Sequence, residues 1–323
     1  MISIEEIKKP IEAEFNTFQE RFRQAFENEN ELINTVNSYI LNKTGKQIRP
    51  ILTLLSAESV GNINDDTIKC AISLEMLHTA SLIHDDVVDE SDERRGQKSV
   101  NAIWNNKVSI LIGDYLLSKS MAIANETKSH PIINKIANLG KELSEGELMQ
   151  INNVKKINIE EKKYFDVIKK KTAALFNTCT YTGAITTNCT EEDANKLKNF
   201  GEIYGICFQI KDDIFDYIAS EKKIGKPVGK DIREGKITLP LLYALNVAKE
   251  RETYLDILQK KNFSDDNILK IIDFTIKNKG IKYAESKIEE YIKKGEEIIE
   301  TMSKEKIRNS LRLLLHHTIE REK

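Results

Sequence analysis

The chain has 323 residues, 40% of them hydrophobic and 31% charged, with 49 Lys+Arg against 51 Asp+Glu. That balance supports a sizeable core and excludes a disordered chain. The net charge of −2 gives no global field that would point to nucleic acid. Five prolines and 14 glycines suit long helices and argue against an all-β chain. Cys70, Cys179, Cys189 and Cys207 form no CxxC pair and no zinc spacing, so they read as reduced thiols in or near the core. The N-terminus lacks an apolar signal core. No run approaches the ~20 apolar residues of a membrane span. The expectation is a soluble cytoplasmic protein, with peripheral membrane contact left open.

In chain order, helical periodicity dominates. Ile68 to Glu90 carries apolar residues at three- and four-residue steps. A second helix follows Asn158 and Glu161, which are spaced like an N-cap and its box partner. A third follows Thr190, another cap candidate. The last stretch of the chain is amphipathic and rich in Lys and Glu, the pattern of a solvated bundle face. No low-complexity linker or composition shift marks a boundary, so residues 1–323 read as one all-α domain of about ten or more helices.

One pattern occurs twice. "HDDVVDE" near Asp85 returns as "KDDIFDY" near Asp212. Both are D-D-x-x-D, both close long apolar helices, and both precede a basic loop containing glycine. On a helix, Asp85 and Asp89 lie at i and i+4, and Asp86 and Asp89 at i and i+3; Asp212, Asp213 and Asp216 repeat the spacing. Unpaired, two such clusters in one cleft repel each other. A hard divalent cation removes the conflict, because Mg²⁺ takes one or two carboxylates and completes its shell with water and phosphate oxygens. The basic residues near loops and helix starts, Lys46, Arg49, Arg94, Arg95, Lys171, Lys226 and Lys236, suit phosphate oxygens.

These pieces together resemble the trans-isoprenyl diphosphate synthase, or polyprenyl synthase, family. The matching segments are "GKQIRP" (Gly45 to Pro50), "LHTASLIHDDVVDESDERRG", "KKTAALF" (Lys170 to Phe176), "GICFQIKDDIFDY" and "GKPVGKDIREGKITLP" (Gly225 to Pro240), in the family's order. The resemblance implies an isoprenoid synthase-type helical bundle around a deep central cavity, usually a homodimer. It also implies head-to-tail condensation of isopentenyl diphosphate with an allylic diphosphate, farnesyl or geranylgeranyl diphosphate as starter. Carried over by residue, Asp85, Asp86 and Asp89 bind magnesium on the allylic diphosphate. Asp212 and Asp213 hold the other magnesium, with Asp216 acting through water; the family implies three ions in all. Lys46, Arg49, His78 and Arg95 take the isopentenyl diphosphate. Arg94, Lys171, Lys226 and Lys236 take the allylic diphosphate, and Thr172 and Gln209 turn their oxygens toward the developing cation.

The product tail is expected to run from Asp85 toward the start of its helix. Ser81 and Ala80, about 6–7.5 Å along at 1.5 Å per residue, occupy positions where short-chain members carry a bulky aromatic. Both are small, so the floor reads as open, with Leu77 and Leu74 as walls one turn further on. The expectation is an all-trans product of roughly thirty to fifty carbons. A short-chain synthase, a catalytic subunit that needs a separate partner, and a class I terpene cyclase are the alternatives. The intact second acid cluster and "GKQIRP" weigh against the cyclase.

Overall fold

Helices form where the apolar periodicity lies, and several begin at a residue whose side chain accepts from a first-turn N–H group, among them Ser3, Asn30, Asn64 and Asn105. The computed structural model describes residues 2–157, 159–218 and 229–320. The N-terminal segments are α1 (Ile4–Lys8), a 3₁₀ turn (Lys9–Ile11), α2 (Glu12–Gln24) and α3 (Glu31–Leu41). Phe15, Phe18, Phe22 and Phe26 stack along one side of this region at centroid spacings of 5.7, 5.4 and 5.0 Å. All four are buried in the main core.

The first acid cluster is set by α5 (Asp65–Val88), which packs beside α4 (Ile48–Val60). It begins three residues before the expected Ile68, because Asn64 and Thr67 make a reciprocal capping box. Threonine takes the place of the usual acid in that box, which is why the start was not legible. The helix closes at Asp89. The stretch after it, read as a loop, is a two-residue-loop hairpin, with β1 (Glu93–Arg94) antiparallel to β2 (Gln97–Lys98). Arg95 and Gly96 turn at φ 53° and 69°. Positive φ at both central residues matches the strand twist, as in a type I′ turn.

Then come α6 (Val100–Trp104), α7 (Asn106–Asn125) and α8 (His130–Lys156). The helix expected from Glu161 onward is not one continuous helix. It is α9 (Glu161–Ile168), a π-helical segment (Lys169–Ala173) and α10 (Ala174–Ile185). The expected cap Asn158 lies outside the described residues. The second acid cluster lies at the end of α11 (Glu191–Ile218), whose Thr190 hydroxyl accepts from Asp193 N at 3.1 Å, as its cap position predicts. After it come α12 (Lys230–Arg233), α13 (Leu239–Val247), α14 (Arg251–Gln259), α15 (Asp265–Lys277), α16 (Gly280–Glu300) and α17 (Glu305–Glu320).

A large core joins α4, α5, α10 and α11 to the N-terminal helices and to α16 and α17. A smaller one joins α12 to α15, and Ile237 and Ile281 pack against both. The four cysteines are free thiols; Cys70, Cys179 and Cys207 are buried and Cys189 is partly buried. Among the described residues no helix is long and apolar enough to cross a membrane.

The π segment is held by a close backbone approach. A Cβ on Gly146 of α8 would lie 2.7 Å from the Lys171 backbone nitrogen. Neither backbone can yield cheaply, so Gly146→Ala is expected to destabilise the protein by on the order of 1–3 kcal/mol. It should also lower turnover by displacing Lys171. Denaturant unfolding and steady-state rates check this; an unchanged midpoint would show that the two backbones are free to separate.

Candidate active site

Three elements bring the chemistry together. The π segment carries Lys171 and Thr172; α11 carries Gln209 and Asp213; the stretch after α12 carries Lys236. All five line one cavity of about 140 Å³, together with Tyr164, Asp231 and apolar groups including Val167, Ile168, Ile237 and Leu242. A π turn adds a residue per turn and so re-aims the side chains on it, a device that recurs at functional sites.

The first cluster joins the same site electrostatically. Burial pushes the Asp85 carboxyl up to about 6; Glu147 and Asp89 add to the rise, and Lys171 and Arg94 pull against it. Lys236 carries the influence of both Asp89 and Asp231. The lysines of a cavity that Asp213 of the second cluster lines therefore act on Asp85 and Asp89 of the first.

Five of the six aspartates divide into two kinds. Asp86 is buried and accepts from Arg94 Nε at 2.8 Å and Nη2 at 2.5 Å. Asp213 is buried; its Oδ2 accepts from the Tyr164 hydroxyl at 2.6 Å and its Oδ1 from Gln209 Nε2 at 2.8 Å. Burial holds Asp213 well above the usual carboxylate range, the nearby charges of Asp231 and Asp212 add to this, and the two hydrogen bonds pull it back. Asp216 accepts from the backbone nitrogens of Lys230 at 2.7 Å and Asp231 at 3.0 Å, tying α11 to the start of α12. Asp85 and Asp89, by contrast, accept no side-chain hydrogen bond from the described residues.

A polar relay runs through the cavity wall. The Thr172 hydroxyl donates to Gln209 Oε1 at 2.7 Å, and the Gln209 amide donates onward to Asp213. The amide's orientation follows from its neighbours, since the Thr172 hydroxyl donates to the amide oxygen and leaves the amide N–H for Asp213. Thr172 keeps a hydroxyl lone pair, and Gln209 Oε1 a second one.

A separate basic group lies near α4. Lys46 and Arg49 flank the first turn of α4, where N–H groups and helix dipole favour an anion. The Arg49 guanidinium sits 4.7 Å from the Phe176 ring centroid, and the Arg95 guanidinium lies over Gly45. His78 is buried, and burial with the charges of Arg49, Arg95 and Arg94 depresses its pKa well below the usual value. It is therefore neutral and offers a single N–H. Arg94, whose charge acts on both His78 and Asp85, is paired with Asp86. Lys226 lies outside the described residues. Ala80, Leu77 and Leu74 are buried in the main core, and Ser81 Oγ bonds to the His78 carbonyl at 2.9 Å. None of these four lines the cavity.

Sequence reasoning missed several groups. Tyr164 lies in no motif and is found only through its contact with Asp213. Asp231 stands inside "GKDIREGK" as one of two acids among three bases, and burial beside Asp216 lifts it to about 6. Glu75, buried between the influences of Arg49 and Arg95, sits three residues before His78, where an apolar helix hides it. Glu147, ion-paired with Lys171, lies on a helix whose pattern carries no signal of a site.

An all-α bundle with two acid clusters and convergent bases around a partly apolar cavity defines an isoprenoid synthase-type prenyltransferase. A family model described as polyprenyl synthetase matches residues 30–274, and the chain belongs to that family. It is 33% identical to octaprenyl diphosphate synthase of Haemophilus influenzae, over 99% of this chain and 98% of that one. Geranylgeranyl pyrophosphate synthase from Bacteroides thetaiotaomicron is 42% identical, with a TM-score of 0.86 covering 99% of this chain and 100% of that one. Polyprenyl synthase from Caulobacter crescentus CB15, solved with calcium and isoprenyl diphosphate, is 27% identical with a TM-score of 0.92, covering 99% and 98%.

The family's chemistry depends on Mg²⁺. The donors present fit a hard cation, since both clusters offer only carboxylate oxygens and no sulfur or imidazole. Among the described residues no three of His, Cys, Asp and Glu converge on one point. An ion held jointly by one or two carboxylates and a substrate phosphate needs no such trio.

The raised Asp85 fixes the sign of a stability effect. Its carboxyl titrates near 6 in the native protein, against 3.8 as the reference value. Between these limits the native state binds the extra proton, so this group's contribution to stability falls as pH rises through the window. Without metal, Asp85→Asn is expected to stabilise the protein at neutral pH by on the order of 1–2 kcal/mol, an advantage that vanishes near about pH 4. Unfolding at both pH values with chelator checks this; a variant less stable than the parent at neutral pH would contradict it.

Proposed function

We propose that this chain is a Mg²⁺-dependent all-trans polyprenyl diphosphate synthase that adds isopentenyl diphosphate to an allylic diphosphate. The observation that carries this reading is one cavity lined by Lys171, Lys236 and Asp213 of the second cluster, whose lysines also act on Asp85 and Asp89 of the first. Asp85, Asp89 and Asp212 are the acids proposed to hold the metal, Asp212 by its place in the D-D-x-x-D spacing. Asp86, Asp213 and Asp216 keep their protein partners and orient the clusters.

Bound Mg²⁺, three ions in the family pattern, would stabilise the negative charge that builds on a departing diphosphate. Arg94, Lys171 and Lys236, with Lys226, bind that diphosphate through fixed positive charge, a preorganised field that needs no rearrangement as the bond breaks. Thr172 and Gln209 present oxygens to the allylic cation. Val167, Ile168 and Leu242 keep water away from it. Lys46, Arg49, Arg95 and the neutral His78 fix the isopentenyl diphosphate so that its double bond lies within reach. The double bond's electrons form the new carbon–carbon bond. The proton lost from the adjacent carbon passes to an oxygen of the departed diphosphate, so no side-chain base is required.

For product length we infer the medium-to-long range. Ala80 and Ser81 are small where a bulky group would end the tail, and the Haemophilus relative is named for an octaprenyl product. The 42% identical Bacteroides protein is named for geranylgeranyl diphosphate, which favours a short product as the second reading. We further propose that residues 1–323 act as one domain, as a cytoplasmic homodimer, with release of a long product at a membrane surface.

Asp85→Ala or Asp212→Ala should cut turnover by several orders of magnitude while the far-UV spectrum stays helical; near-normal rates would remove the metal assignment. Farnesyl diphosphate and labelled isopentenyl diphosphate should give products beyond twenty carbons, and Ala80→Tyr should shorten them. Parent products that stop at twenty carbons favour the second reading. An unchanged length in the variant places the stop on another helix.

A further inference from the structure

Both lysines at the cavity have a carboxylate behind them. Lys171 Nζ is ion-paired with Glu147 of α8. Lys236 Nζ lies 2.5 Å from Glu234, just past the end of α12. The lysines line the cavity and the two glutamates do not. Side-chain exposure is 25% for Lys171 and 20% for Glu147, and 20% for Lys236 and 26% for Glu234. These are half-sheltered pairs, not the exposed i,i+4 kind whose worth is marginal. Their geometry is set by the backbone. Glu147 follows Gly146, where α8 touches the π segment most closely, and Gly235 at φ 75° turns the chain between Glu234 and Lys236.

We propose that Glu147 and Glu234 are positioning residues that hold Lys171 and Lys236 as balanced counter-ions and oppose over-tight capture of diphosphate. The inference rests on the reading that these lysines bind the allylic diphosphate. An ammonium has three donors. One spent on the glutamate fixes the nitrogen and leaves two for phosphate oxygens. The glutamate's charge stays beside the site after binding and repels the diphosphate. That repulsion has a use. Every round of elongation leaves a free diphosphate in the site, and lysines without counter-ions would retain it.

The test measures inorganic diphosphate binding to the full-length protein by calorimetry with Mg²⁺, for the parent, Glu147→Gln, Glu234→Gln and Glu147→Asp. Removing one such charge should tighten binding by on the order of five- to tenfold at low salt, given a separation of several ångströms in a partly screened site. The Gln variants should also show stronger inhibition by added diphosphate and a lower kcat without a raised KM for the allylic substrate. Glu147→Asp should restore the parent's affinity. Unchanged or weaker binding in both Gln variants overturns the proposal; weaker binding in Glu147→Gln alone would make that residue a metal ligand and overturn its assignment. A parent that binds no diphosphate with Mg²⁺ overturns the proposed function itself, and this proposal with it. The two Gln variants are on separate elements, so misfolding of one, seen in its melting curve, leaves the other to decide.

Discussion

Like charge concentrated at the ends of two helices is the constraint on which the rest of the structure depends. Carboxylates on one helical face repel each other, and partial burial makes the repulsion stronger. The protein answers in two ways. Asp86, Asp213 and Asp216 are satisfied internally, by a guanidinium, by a hydroxyl and an amide, and by backbone N–H groups. Asp85 is left desolvated and raised toward 6, a carboxyl in want of a cation. The satisfied acids hold the frame, and the unsatisfied one points to what the frame is for.

Ordinary helix physics supplies that frame with three local departures. The π segment re-aims Lys171 and Thr172. The hairpin after α5 returns Arg94 to Asp86, eight residues back along the chain. The left-handed Gln47 starts α4 and sets Lys46 and Arg49 at a helix N-terminus. Each departure carries or adjoins basic residues, at the parts of the proposed site that would meet an anion. Beside them the helices pack as apolar bodies, so a charged mouth and a dry wall belong to one cavity.

Much of this was legible in the sequence. Helical periodicity defined the fold class, and the repeated D-D-x-x-D spacing with ordered basic motifs identified the family. Thr190 could be recognised as a cap because its hydroxyl acts within one turn. What could not be read depends on contacts between distant segments. The π segment has no local signal; it lies where Gly146, twenty-five positions before Lys171, lets two backbones touch. Tyr164, Glu75 and Glu147 sit in unremarkable helical patterns and acquire meaning only from Asp213, Arg49 and Lys171 across the fold. The division between Asp86, Asp213 and Asp216 on one side and Asp85 and Asp89 on the other was equally hidden, because spacing alone makes them equivalent.

The most direct measurement of the central claim is a crystal structure of the protein with Mg²⁺ and a non-hydrolysable allylic diphosphate analogue. The expected result is one diphosphate bridged by metal to Asp85 and Asp89 on one side and Asp212 on the other, with Lys171 and Lys236 on its oxygens. A diphosphate bound away from this cavity, or ligated by only one of the two clusters, would contradict it.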